Sequence, residues 1–335
     1  MIKAAMMIKD SDDRYLKRVF TEEIIAKLGG YVELYPGLID GSNLEARRGA
    51  LRDVEAVFSS WWMPELTAAE LETYLPNLKI VFYGSGTVQY FARPFLSRGV
   101  TVVSARAANS SAVAEYTMAQ ILLANKGFFQ NTVRIKRDYE AARSFSDRFT
   151  GNHRAKIGIL GAGMIGSMVI GLLRPFNLEV KVYDPYLTAE RARELGVERW
   201  SLEEIFSGCH VISNHVPNLP ETIGMLKYEI LRRMKPYATL INTGRGAQIA
   251  EDGLIRALRE DGTRTAVLDV TEPEPPLPDS PLWTLENVTL TSHIAGSMGL
   301  EMERLGELIV QETARYAAGQ PPEYAVSAEM LETMA

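Results

Sequence analysis

Three side chains able to hold charge or move a proton stand near the ends of three apolar runs of this chain. Arg245 follows "ATLINTG" (238–244), Glu274 follows "TAVLDV" (265–270) within a Pro-rich stretch, and His293 closes "NVTLTSH" (287–293). A guanidinium can grip a carboxylate with two hydrogen bonds. An imidazole can give or take a proton, and a neighbouring carboxylate orients it and favours its charged form. Together they suit the reduction of a 2-oxo acid, whose carbonyl oxygen collects charge and then needs a proton. Run backwards, with neutral His293 as base, the same parts oxidise a 2-hydroxy acid. Asp269 ends its run in the same layer, and Glu272 stands as a rival to Glu274.

What could bring these groups together is a parallel sheet, in which ligands collect beyond the carboxyl ends of the strands. Short apolar runs alternate with helical patterns almost throughout, as expected of parallel sheets covered on both faces. One series is "IKAAMMI", "YVELY", "EAVFSS", "LKIVFY" and "GVTVV"; a second is "AKIGILG", "LEVKVYD", "CHVISNH", "ATLINTG", "TAVLDV" and "NVTLTSH". Two series in 335 residues predict two α/β domains. Residues 110–128 read as a connecting helix and 300–319 as a last helix, while "TEPEPPLPDSPLW" must be loop.

The second series opens on "KIGILGAGMIGSMVIGLL", with Gly161, Gly163 and Gly166 spaced as G-x-G-x-x-G between strand and helix. The first glycine permits the tight turn, the second lets a pyrophosphate approach the backbone, and the third lets helix and strand pack closely. The amides of Met164 and Ile165 would open a helix N-terminus that favours negative charge. Asp184 ends the next strand, about where a carboxylate meets the adenosine ribose. It would repel a 2′-phosphate, and no arginine follows in "DPYL", so NAD is expected over NADP. The glycines beside Arg245, Gly244 included, would leave backbone room for that cofactor.

Lys and Arg number 36 against 42 Asp and Glu, for a formal charge of −6. That balance offers no basic footprint for nucleic acid or an anionic membrane, so an acidic ligand needs a locally cationic pocket. The single cysteine, Cys209, excludes an internal disulfide, and the four histidines have no metal-ligand spacing with it. "MIKAAMMI" is too short for a signal core and no apolar run is long enough to span a membrane, so a cytoplasmic location is expected.

The pieces "GAGMIG", "NHVPNLPET", "NTGRG", "DVTEPEP" and "SHIAGS", with "YGSGTVQYF" and "ANSSAVAEYT" upstream, give the chain a clear resemblance to the D-isomer-specific 2-hydroxyacid dehydrogenases. The resemblance implies a Rossmann NAD-binding domain, residues 108–295, inserted into a flavodoxin-like substrate domain made of 1–107 and 296–335. It places the family's arginine on Arg245, its glutamate on Glu274 rather than Glu272, and its histidine on His293. Cofactor contacts would fall on Met164, Ile165, Asp184, Val216, Pro217, Thr222, Thr243 and Asp269, with Asp269 holding the nicotinamide carboxamide. Ser85 and Gly86 would supply a backbone turn for the substrate carboxylate. The segment 125–153 helps join two subunits in the family, which implies a homodimer; otherwise it covers its own domain. The chain ends soon after its last helix, so no appended regulatory domain is expected.

His215, in "SNHVP", either lines the nicotinamide pocket or merely ends its strand, while His153 and His210 have no motif context. Trp61 and Trp62 either wall the substrate pocket or pack the domain edge. The leading expectation is an NAD-dependent enzyme for a small D-2-hydroxy or 2-oxo acid, glyoxylate and hydroxypyruvate being the plainest. Phosphite oxidation by the same trio and an NAD-sensing, corepressor-like binding module are the competing readings.

Overall fold

The computed structural model describes residues 1–10, 12–332 and 334. Its strands, in chain order, are β1 (Ile2–Met7), β2 (Val32–Ile39), β3 (Ala56–Ser59), β4 (Ile80–Tyr83), β5 (Thr101–Ser104), β6 (Lys156–Leu160), β7 (Glu179–Tyr183), β8 (Glu198–Arg199), β9 (Val211–Asn214), β10 (Thr239–Asn242), β11 (Thr265–Leu268), β12 (Val288–Leu290) and β13 (Ala325–Val326). The chain divides into two compact units, residues 1–110 with 297–335, and 111–296.

In the first unit the sheet runs β13-β5-β4-β3-β1-β2, parallel except for β13. Leaving β13 aside, this is the flavodoxin-like order, with its reversal between β1 and β3. Alternate residues feed two separate cores, as a sheet covered on both faces requires. Val57, Val81 and Val102 join one cluster, and Phe58, Phe82 and Val103 join the other. The helix Glu301–Ala317 returns to this unit and buries Met302, Leu305 and Ile309 in the second cluster.

In the second unit seven parallel strands run β12-β11-β10-β9-β6-β7-β8. That is the Rossmann order, with the crevice where β6 meets β9. Ile212, Leu240 and Leu268 face one core and Ile157, Ile159 and Ile241 the other. The strand-to-helix alternation read from the sequence is therefore present in both units. The two-residue strands β8 and β13 are too short to show a periodicity. The expected connecting helix spans Arg106–Ala124, and residues 125–153 carry two further short helices, Phe128–Arg134 and Tyr139–Ser146.

Candidate active site

β6 hands over to the helix Met164–Leu173 through the three fingerprint glycines. Gly161 has φ +85°, and a Cβ there would lie 2.9 Å from the carbonyl oxygen of His215, at the crossing to β9. A Cβ on Gly166 would lie 2.0 Å from the Gly161 carbonyl oxygen, so the helix seats against the turn only with glycine there. Gly163 differs: nothing lies within 4 Å of its missing Cβ, and as N-cap it brings no side chain to the first helical amides. An open cradle of unused amides at a helix N-terminus fits a pyrophosphate. Met164 is exposed and Ile165 half-buried beside it.

Asp184 ends β7 half-buried, and its two oxygens accept from the amides of Ala162 and Tyr186, each at 2.8 Å. It thus fastens the glycine turn while each oxygen keeps a further lone pair for a hydroxyl. It also lines a cavity of about 460 Å³ together with Arg199 and Trp200. Sequence reasoning found no arginine in "DPYL" because Arg199 arrives from β8, where it pairs with Val182 of β7.

On the other side of the crevice, Val216 donates its amide to Asn214 Oδ1 at 3.3 Å. Thr222 Oγ1 is taken up by its own loop, at 2.7 Å from the Pro217 carbonyl and 2.9 Å from the Leu219 amide nitrogen. His215 Nε2 lies 2.9 Å from Ser213 Oγ, and its buried Nδ1 has no partner among the described residues. Burial pushes the His215 pKa down to about 4, so at neutral pH this ring is uncharged.

Arg245 follows β10, and the sequence did not reveal what holds it there. Asn214, Asn242 and Gln248 are all fully buried. Asn214 Nδ2 donates to Asn242 Oδ1 (3.0 Å) and Gln248 Oε1 (2.9 Å). Gln248 Oε1 also accepts the Arg245 amide at 3.0 Å, and Asn242 Nδ2 donates to the Arg245 carbonyl at 2.9 Å. The loop is clamped on both sides of the arginine. The flanking glycines serve this packing rather than open space. A Cβ on Gly246 would lie 1.9 Å from the Thr271 carbonyl carbon, and one on Gly244 would lie 3.2 Å from Gln248 Oε1. Thr243, buried, pairs with Thr117 through their hydroxyls at 3.2 Å.

Among the described residues the half-buried guanidinium makes one hydrogen bond, Nη1 to the Gly244 carbonyl at 2.8 Å. Among the described residues no carboxylate lies within ion-pair distance of it. Burial lowers its pKa, and Glu274 pulls in the opposite direction through space. A cation held in a clamped loop without a counter-ion is costly to the fold, and such groups concentrate at functional sites.

His293 stands in the left-handed region at φ +58°, a conformation uncommon for a residue with a side chain. Its amide donates to the Asp269 carbonyl, and its Nδ1 meets Glu274 Oε1 at 2.8 Å. Glu274, not Glu272, is therefore the imidazole's partner. Both side chains are nearly half exposed, at 47% and 43%, and among the described residues Nε2 has no hydrogen-bond partner. Asp269 holds this turn in place. Its carboxylate accepts from Thr291 Oγ1 (2.6 Å), the Ile294 amide (2.8 Å) and the Ala295 amide (2.9 Å). Contacts that sequence reasoning reserved for a cofactor carboxamide are thus spent largely on the turn that carries His293.

In the first unit, Ser85 and Gly86 follow β4. Both carbonyls accept from Ser104 Oγ, at 3.0 and 2.6 Å, and among the described residues their amides find no acceptor. Trp61 packs against a core cluster, its ring 5.7 Å from that of Tyr15. Trp62 is 56% exposed at φ +69°. Of the two rings, Trp62 is the more exposed.

Residues 118–295 match the family model described as D-isomer specific 2-hydroxyacid dehydrogenase, NAD binding domain. The chain is 30% identical over 300 residues to D-3-phosphoglycerate dehydrogenase of Mycobacterium leprae, covering 89% of this chain and 56% of that protein. It is 36% identical over 176 residues to glyoxylate reductase of Korarchaeum cryptofilum, covering 52% and 53%. The chain thus spans about half the length of these curated relatives. Among solved structures, a phosphoglycerate oxidoreductase from Rhizobium etli shares the fold with a TM-score of 0.81 at 23% identity, covering 98% of this chain and 99% of that one.

Proposed function

Since the chain belongs to the D-isomer specific 2-hydroxyacid dehydrogenases, we propose that it interconverts a small 2-oxo acid and its D-2-hydroxy acid with NAD(H). The observation that carries this reading is the half-buried Arg245, clamped by three buried amides and, among the described residues, without a carboxylate partner. Such a cation suits the carboxylate of a substrate.

The cradle at Gly163, Met164 and Ile165 suits the pyrophosphate, and the free lone pairs of Asp184 suit the adenosine ribose. What the cofactor supplies when bound is a hydride; the remaining work falls to this chain's side chains. Arg245 grips the carboxylate and stabilises charge on the adjacent carbonyl oxygen. His293 delivers a proton to that oxygen from Nε2, because Glu274 engages Nδ1 and fixes the ring's orientation. In oxidation the neutral ring takes the proton back. His215, kept uncharged by burial, contributes no proton and serves as part of the crevice wall.

We assign Ser85 and Gly86 to the substrate carboxylate because their amides find no acceptor among the described residues, and Trp62 to the substrate side chain on the strength of its exposure. A small unphosphorylated acid of the glyoxylate or hydroxypyruvate kind is the substrate we favour. The exposed Leu123, Phe128, Ile135 and Tyr139 are the surface we assign to a second copy of the chain; a monomer by sedimentation at micromolar concentration removes that assignment. NADH oxidation over a panel of 2-oxo acids tests the reaction. Turnover of at least one acid is expected, whereas firm NADH binding with no turnover of any acid points to a sensing module instead.

A further inference from the structure

At the end of the second unit's sheet opposite Arg245, where β9 and β10 begin, lies a cavity of about 180 Å³. Its lining includes Asn125, Arg148, Thr150, His210, Lys235 and Tyr237, and no carboxylate. Among the described residues neither Arg148 nor Lys235 has an ion pair. Lys156, which acts on His210 through space, rests over the Trp200 ring at 5.5 Å. Glu179 acts on His210 through space, and Lys181 lies 3.7 Å from that carboxylate.

The hydrogen bonds of His210 reveal what is missing. The Lys156 amide donates to Nδ1 at 3.0 Å, so Nδ1 is an acceptor and the ring proton sits on Nε2. Yet Nε2 lies 3.2 Å from Lys235 Nζ, which can only donate. Two N–H groups face each other and neither can satisfy the other; an acceptor bridging both resolves the conflict. Charging the ring would not help, because Nδ1 would then lose its acceptor role. Burial, with Lys235 and Lys156, already holds the His210 pKa below its ordinary value. A group offering several acceptor oxygens answers both N–H groups and the Arg148 guanidinium in the same lining. The cavity has room for a tetrahedral oxyanion.

We propose that this cavity is a phosphate-binding site, remote from the dinucleotide crevice, taking either free inorganic phosphate or the phosphoryl group of a small monoester. Arg148, Lys235 and the Nε2–H of His210 donate to the oxygens. The site is independent of the reaction assigned above.

The test uses the full chain with 15N-labelled histidine and saturating NADH, which keeps phosphate out of the glycine cradle. His210→Gln identifies the His210 resonance. On titration with inorganic phosphate, the His210 Nε2 signal is expected to shift and saturate. Lys235→Gln and Arg148→Gln should each weaken the midpoint by about tenfold or more, the loss expected for one charge-assisted hydrogen bond. The unchanged signals of His153, His215 and His293 report that each variant is folded, and the exposed Arg148 carries the test if Lys235→Gln does not fold. A matching shift with glycerol 2-phosphate assigns the site to monoesters as well; a response to inorganic phosphate alone assigns it to the free ion. A His210 signal unmoved at tens of millimolar phosphate, or one that moves equally in both variants, overturns the proposal.

Discussion

Replacing Arg245 with methionine separates a functional cation from a structural one, because the two readings require opposite signs. A bidentate grip on a carboxylate comprises two charge-assisted hydrogen bonds of about 1.5–3 kcal/mol each. Losing both costs about 3–6 kcal/mol, or roughly 10² to 10⁴ in kcat/KM. For the fold, the variant forfeits only the 2.8 Å bond from Nη1 to the Gly244 carbonyl, worth about 0.5–1.5 kcal/mol. Against that, it relieves the desolvation of a half-buried cation with no carboxylate partner, which for a fully buried ion reaches several kcal/mol. The balance lies between zero and a gain of about 2 kcal/mol. In a unit of this size that is a Tm unchanged or raised by up to roughly 5 °C. Calorimetry on the ligand-free protein and steady-state NADH oxidation measure the two halves. A Tm lowered by more than about 4 °C, with kcat/KM little changed, would refute the reasoning and make Arg245 a structural residue.

Gln248→Leu should cost about 2–4 kcal/mol in urea denaturation, because it strands the buried Asn214 amide and the Arg245 N–H. It should also lower kcat/KM about tenfold by loosening the Arg245 loop. An unchanged urea midpoint in Gln248→Leu would contradict the clamp. His215 has a folded pKa of about 4, depressed from 6.5. The unfolded chain therefore binds the proton more readily. The stability from its burial is complete above about pH 6.5 and falls as pH drops towards 4, by at most about 3 kcal/mol. His215→Gln should flatten that limb of the stability profile; an identical profile removes His215 as its source. Asp184→Ser should narrow the preference for NADH over NADPH at least about tenfold, helped by Arg199 in the same cavity, and equal rates with both cofactors in the unaltered protein would refute the role given to Asp184.

The parts of the site that the sequence makes legible rest on strong local constraints. Only glycine fits at Gly161 and Gly166, where a Cβ would strike backbone, so the fingerprint carries its geometry with it. Arg245, Glu274 and His293 were recognisable because parallel strands present their carboxyl ends on one side. The rest depends on partners that meet only after the strands align. Asn214 and Gln248 look like ordinary polar residues until β9 lies beside β10. Gly246 gives its room to Thr271 and Glu272, a close approach that local pattern does not encode. Asp269 ends its run like any buried carboxylate, and only the turn at 291–295 shows what it holds. Glu272 and Glu274 are equivalent in composition; the His293 contact separates them. The conflict at His210 is less visible still, since its Lys156 and Lys235 neighbours come from distant segments.

The central claim is that Arg245 and His293 act on one molecule in one step. A double-mutant cycle on kcat/KM with Arg245→Met and His293→Asn measures this directly, using the best 2-oxo acid of the panel. Residues that serve a single transition state are strongly non-additive. The expected result is that each single variant loses at least about a hundredfold and that the double variant is little worse than the poorer single one. Losses that simply multiply, or a single variant that keeps full kcat/KM, would contradict the account.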